Sequence, residues 1–458
     1  MSRIEVLDYS SDQGSSNWLP RFLRPPPPAP ALTDAKEIAR QFAYFRPRIL
    51  LWTTIGYGMF YFVRRNYDAV MPVIGHQLGI SKTTLGLILT IHGVLYGVSK
   101  FINGIFADRA NARMFMASAL IVCAGINIIF GLSSAVVVFA LLWLINGWFQ
   151  GMGYPPSARL LTHWFAPREL ATKMSIWNAS HSLGGAAILI LCGVIVKYTG
   201  SWRLCFWIPA CLALATAGLL LVYLRDTPES IGLPEVEGTT AVNALEANAG
   251  RSTAEFKAFL RQKVFGNKYI WIASIANFFV YTIRFSVFSW GTFVLAEYKG
   301  IKLYNAAWMV AAFEVGGWPG ALVTGWLTDR LFGGRGAPLS LVCMILCGVS
   351  LFLLWKTPGH YVWLNTALLM STGFFVYGPQ ALVAVIVAHL ATKRGAATAV
   401  GLTSIFGYAS TVASGWGLGY LVQNYGWNPA FKCLIGIAAI GALLFAMALP
   451  AKSHGQGA

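Results

Sequence analysis

Residues 49–75, ILLWTTIGYGMFYFVRRNYDAVMPVIG, decide the class of this chain. Crossing a hydrocarbon core of ~30 Å takes about 20 helical residues. This run has them, yet it carries Arg64 and Arg65 side by side within its length. An arginine near the centre of a membrane helix costs roughly 2.5 to 3.5 kcal/mol on insertion scales, so a segment that keeps two is a membrane helix with a task for its charges.

Outward from this run, apolar stretches of similar length recur at 85–106, 112–131, 135–155, 172–197, 203–224, 267–296, 304–327, 338–355, 361–386, 394–422 and 428–450. Across 458 residues 56% are hydrophobic and 11% charged, with a mean hydropathy of +0.60. That balance keeps no water-soluble domain of this size dispersed. Lipid tolerates only helices or a closed barrel, and uninterrupted apolar runs exclude the alternating pattern of barrel strands. The expected fold is an all-α membrane protein with twelve transmembrane helices.

The net charge of +17 is spread over short loops and forms no single patch, which argues against nucleic acid and for the lipid bilayer as the partner. With the N-terminus placed inside, the outer loops hold only Lys82, Lys197, Arg203, Lys299, Lys302 and Lys356 of the 34 Lys and Arg. The positive-inside rule then puts both termini in the cytoplasm. The first 48 residues are polar, basic and proline-rich (Pro25 to Pro28, Pro30), without the apolar core of a cleaved signal peptide. All seven cysteines fall within expected helices and have no metal-ligand spacing, so neither a disulfide framework nor a metal is implied.

The polar stretch 225–266 divides the helices into six plus six. The chain therefore reads as an N-terminal segment (1–48), a first half (49–224), a linker (225–266), a second half (267–450) and a tail (451–458). A repeat supports the division. Gly104-xxx-Asp108-Arg109 after the second helix recurs as Gly325-xxx-Asp329-Arg330 after the eighth, and Arg64 and Arg284 are separated by almost the same offset. Parallel halves of this kind carry a solute site at mid-depth between them.

Helical spacing groups Tyr57, Tyr61 and Arg64 on one face, Tyr281, Arg284 and Phe288 on another, and His92, Tyr96 and Lys100 on a third, with Trp177 and His181 one turn apart. Against Arg64, Arg65, Lys100 and Arg284 this reading counts one intramembrane carboxylate, Glu314. The missing negative charge points to an anionic ligand, and phosphate suits guanidinium forks through bidentate, charge-assisted hydrogen bonds. Structural roles stay open: the arginines can snorkel, Lys100 lies near a helix end, and His181 can be a core histidine. Arg65 is expected to pair with Glu314 as a structural or gating contact. No phosphate loop, HExxH or GxSxG motif occurs, so an enzyme is not expected and no cofactor is implied.

The segments Tyr61-Phe-Val-Arg-Arg-Asn66, Tyr96-Gly-Val-Ser-Lys100, Gly147-Trp-Phe-Gln-Gly151, Trp177-Asn-Ala-Ser-His181, Tyr281-Thr-Ile-Arg284 and Tyr377-Gly-Pro379 resemble the organophosphate:phosphate antiporter family of the major facilitator superfamily. The resemblance covers nearly the whole chain. It implies that Arg64 and Arg284 bind substrate phosphate, that Lys100 and His181 stand near the site, and that Arg65 and Glu314 form salt bridges between the halves. Ser289 stands where related proteins carry an Asp. Leu32-Thr-Asp34, Asp108-Arg-Ala-Asn-Ala-Arg113 and Ala158-Arg-Leu-Leu-Thr162 look most like the hexose-phosphate branch. The resemblance thus implies exchange of a sugar phosphate for inorganic phosphate across a bacterial inner membrane, or a sensor that reports hexose phosphate to a signalling partner. A proton-coupled sugar carrier fits less well, since Glu314 alone makes no proton relay.

Overall fold

A computed structural model describes residues 19–236 and 258–451. The parts of the expected N-terminal segment, linker and tail at 1–18, 237–257 and 452–458 lie outside the described residues. The described chain is helical throughout: α1 (Ala35–Phe62), α2 (Asn66–Leu78), α3 (Lys82–Ala107), α4 (Ala112–Leu132), α5 (Val136–Gln150), α6 (Tyr154–Trp164), α7 (Pro167–Thr199), α8 (Leu204–Tyr223), α9 (Lys268–Glu297), α10 (Leu303–Phe332), α11 (Gly336–Lys356), α12 (Val362–Thr411), α13 (Leu418–Tyr425) and α14 (Trp427–Ala448).

Among the described residues ten helical stretches are long and apolar enough to cross a membrane. Two further crossings are interrupted. One is α1 continued by α2 across a break at residues 63–65, and the other is the second arm of α12, continued through a π-helical turn at Val412–Gly417 into α13. The chain is a multi-pass membrane protein of the twelve-helix class.

Unbroken, the 50 residues of α12 would reach ~75 Å at 1.5 Å per residue, over twice the hydrocarbon core. Its contacts show that it doubles back. Asn365 donates to the Pro358 carbonyl (2.9 Å) beside the end of α11, and Ile386 packs on Gly336 at the start of α11. Thr403 O then accepts from Asn277 near the start of α9 (2.9 Å), and Ser414 O accepts from Trp290 near its end (2.8 Å). The two arms are the tenth and eleventh crossings.

The first crossing departs from the sequence reading at both ends of α1. The helix begins at Ala35, where the Asp34 side chain accepts from Lys36 N (3.0 Å), well before residue 49. It then breaks at 63–65, inside a run expected to be continuous. A break in lipid is tolerated only if the freed backbone groups find partners. Gln150 donates to Phe60 O (3.0 Å), while Asn127 and Asn146 donate to Val63 O (2.8 and 3.2 Å). Asn66, starting α2, donates to Asn127 Oδ1 (2.7 Å) and Cys205 O (3.0 Å). Buried amides from α4 and α5 thus hold open the turn that carries Arg64 and Arg65.

The start of α1 and the end of α14 lie on one face of the bundle, called here the terminal face. On it, residues 19–34 clip to the first half and to the start of the linker: Asn111 N donates to Leu23 O (2.8 Å), Ala29 N to Glu229 O (3.0 Å) and Leu32 N to Gly232 O (2.8 Å). Arg159 pairs with Asp226 (3.3 Å) and donates to Ala110 O, and Asp226 also accepts from Ala112 N (2.7 Å). Burial pushes the Asp226 carboxyl above its ordinary value, with Arg159 pulling it back.

The halves are fastened toward the opposite face. Lys82 Nζ pairs with Glu297 (2.6 Å) and Lys82 N donates to Gln423 (2.9 Å). Thr90 donates to Thr411 O (3.0 Å) and accepts from Trp416 N (2.8 Å), and Thr292 donates to Asp68 O (3.1 Å). Here α3 and the π-helical turn touch at Gly86 and Gly415, and a side chain on Gly86 would collide with the Gly415 carbonyl.

Candidate functional site

Arg64 and Arg284, both buried, line one cavity of about 100 Å³ between the halves. Arg64 reaches it from the break between α1 and α2, with its guanidinium 4.2 Å from the Tyr61 ring centre and 4.8 Å from that of Tyr96. Arg284 reaches it from the middle of the unbroken α9, 4.4 Å from the Tyr377 ring centre and 5.9 Å from Tyr281. Ring faces carry negative quadrupole density that steadies a desolvated cation. Arg64 Nε has no hydrogen-bond partner among the described residues and stays free to donate.

Of the expected site residues, Arg64, Arg284, Tyr61, Tyr281 and Arg65 line this cavity. Lys100, His181 and Tyr57 form a layer beside it on the terminal-face side. Lys100 Nζ lies 3.8 Å over Tyr154 and 5.8 Å over Tyr408, a cavity wall. His181 sits 6.0 Å from Tyr61 and stacks on Tyr377 at 6.4 Å, its Nδ1 facing Asn178 O. Tyr57 packs on Tyr61 at 5.7 Å and Trp177 at 4.8 Å. One turn nearer the terminal face, Asn178, Ala381 and Ser404 are exposed on the faces that bear His181, Tyr377 and Tyr408. The cavity therefore opens toward the terminal face. Asp108 and Arg109, just past the end of α3, and Asp329 and Arg330, in the last turn of α10, are exposed at that face, away from the cavity.

The expected pairing of Arg65 with Glu314 is not what the structure holds. Arg65 pairs with Asp68 at 3.0 Å and reaches Ser289 across the halves at 3.5 Å. Glu314 instead accepts a 2.5 Å hydrogen bond from Tyr377 OH. The reason is local. The break starts a new helix at Asn66, and Asp68 lies in its first turn, where the helix dipole favours an anion, three residues from Arg65. Asp68 is 2% exposed, so it is a second intramembrane carboxylate that the charge count passed over. The i, i+3 spacing was its signal. The inventory stays positive, four cations to two anions. No comparable signal marks Tyr408, Thr411 and Ser414 as walls, because they come from the second arm of α12 and the π-helical turn that follows it.

The model of the Major Facilitator Superfamily matches residues 53–415. The probable hexose phosphate transport protein of Chlamydia trachomatis is 38% identical over 441 residues, covering 94% of this chain and 96% of that one. The chain belongs to the organophosphate:phosphate antiporter family of this superfamily. Another relative is the membrane sensor protein UhpC of Escherichia coli, 37% identical over 434 residues, covering 94% of this chain and 98% of the other. The glycerol-3-phosphate transporter of Bacillus subtilis is 35% identical, with 93% and 97% covered. Among solved structures, a bacterial homologue of the human lysosomal transporter Spinster, inward-facing and unoccupied, matches at a TM-score of 0.69 and 17% identity over 89% of this family member and 96% of that chain. That likeness shows the fold.

Proposed function

We propose that the protein exchanges a hexose phosphate for inorganic phosphate by alternating access. The observation that carries this reading is the meeting of Arg64 and Arg284, one from each half, at a single cavity whose surroundings keep an excess of positive charge. A phosphate bridging two guanidiniums supplies the missing charge and draws the halves together on the open side. Closing there requires the Lys82–Glu297 pair and the Thr90–Thr411 bond to open, so bound phosphate links the site to both faces. An empty carrier leaves two like charges facing each other and has less drive to close. That asymmetry favours exchange over uniport.

The uneven distribution of Lys and Arg supports placing the terminal face in the cytoplasm, with residues 49–224 and 267–450 as the moving halves and 225–266 as their linker. The conformation described is then the inward-open one, in the inner membrane of a bacterium.

The test is uptake of radiolabelled phosphate into liposomes holding the purified protein, preloaded with phosphate, glucose 6-phosphate or nothing. Uptake that requires an internal phosphate compound is the expected result. Uptake into empty liposomes would overturn exchange, and binding without flux in every loading would replace it with a sensor's role, that of the UhpC relative.

A further inference from the structure

We infer that Asp68 is a specificity-determining residue that accepts a hydrogen bond from a hydroxyl group of the organic phosphate, at the end of the cavity beyond the two arginines. The inference rests on the exchange reading above and adds which part of the substrate meets which end of the site.

The chain directions set the ends. From Arg64 along α2, from Arg284 along α9, from Tyr408 along α12 and back along α3 from Tyr96, the cavity lining toward the opposite face passes through Asp68, Ser289, Thr411, Ser414 and His92. This end is blind, because the fastened contacts between the halves lie beyond it. Most of its polar groups are occupied. The Thr411 and Ser414 hydroxyls donate to carbonyls of their own turn, Tyr408 O (2.7 Å) and Ser410 O (3.0 Å), and His92 Nε2 faces Asn146 Oδ1 at 3.4 Å.

Asp68 is different. Its Oδ2 is held by Arg65 at 3.0 Å, while its Oδ1 is buried with no hydrogen-bond partner among the described residues. A carboxylate oxygen stripped of water and left unpaired is costly, so the site is incomplete without a donor. The chemistry of that donor is restricted. A phosphate oxygen brings a second negative charge, and a metal cation is repelled by Arg64 and Arg65 in the same cavity. A neutral hydroxyl fits. With the phosphate at the arginine pair, a polyhydroxylated ester places hydroxyls at Asp68, and inorganic phosphate places none there.

The experiment measures competition against labelled inorganic phosphate by glucose 6-phosphate and by hydroxyl-free n-hexyl phosphate in the purified full chain. Wild type should prefer the sugar ester, and Asp68→Ala should reduce the ratio of the two half-inhibiting concentrations about tenfold or more, the scale of a lost hydrogen bond to a charged acceptor. Arg65→Gln breaks the same ion pair but keeps the acceptor, and should retain the sugar preference. An unchanged ratio in Asp68→Ala, or an equal loss in Arg65→Gln, overturns the inference. Should Asp68→Ala not fold, equal inhibition of wild type by the two esters overturns it as well, and Asp68→Asn should give a smaller shift in the same direction. Wild type that neither binds nor exchanges phosphate would instead bring down the exchange reading itself.

Discussion

Arg64 and Arg284 stand in corresponding places in the two halves and are held by opposite means. In the first half the helix itself gives way. Arg64 is presented by a break whose carbonyls are taken up by Asn127, Asn146 and Gln150. In the second half α9 stays whole, and Arg284 is steadied from outside by Tyr377, which is tied to Glu314. The same charge can be stabilised in a low-dielectric interior by reshaping the backbone or by tethering a side chain, and the two solutions fail differently. A backbone break ties the site to the stability of its half. A tethered ring lets the site be weakened with the fold intact.

The largest expected effect is common to both halves. Arg64→Lys and Arg284→Lys each keep the charge but lose the planar fork, and phosphate affinity measured by equilibrium binding should fall at least about tenfold in each. Below that, the halves should part. Asn127→Leu leaves Val63 O short of one donor and removes the acceptor of Asn66. Unsatisfied buried groups cost about 1–3 kcal/mol each, so thermal unfolding in detergent should shift down together with phosphate affinity. Tyr377→Phe removes only the hydroxyl that Glu314 accepts from. It should weaken phosphate binding a few-fold with a smaller loss of thermal stability, and equal destabilisation by the two substitutions would erase the distinction.

The smallest effect sharpens the same comparison at the opposite face. In the first half Arg203 caps the end of α4 by donating to Gly131 O (2.9 Å) and Ser133 O (2.8 Å). In the second half Lys299 does this for α11 through Leu354 O and Thr357 O. Arginine does not titrate in the accessible range, whereas burial pushes the Lys299 ammonium down to about 8. Between about 8 and the unfolded value of ~10.4 the folded chain binds fewer protons there than the unfolded chain, so the stability contributed at Lys299 rises with pH across that window. Lys299→Met should flatten the slope of unfolding midpoint against pH from about 8 to 10, and Arg203→Met should leave the slope as in wild type.

Much of this was legible in the chain. Hydropathy and run length located the crossings because lipid demands about 20 apolar residues each time, and the rarity of intramembrane arginine singled out Arg64 and Arg284. The break at 63–65 was not legible, since no proline or glycine marks it and the amides that support it come from α4 and α5. The Arg65–Asp68 pair followed from helical spacing, but only once a helix was known to begin at Asn66. The partnership of Tyr377 with Glu314 joins residues of α10 and α12, far apart in sequence, which local spacing cannot see.

The central claim is that one phosphate is held by both arginines at once, and a double-mutant cycle tests it most directly. Phosphate affinity would be measured for wild type, Arg64→Lys, Arg284→Lys and the double variant. A shared ligand predicts strong coupling, with the double variant binding little worse than the weaker single one. Losses that simply add would mean that the two arginines act on separate ligands, and would contradict the account.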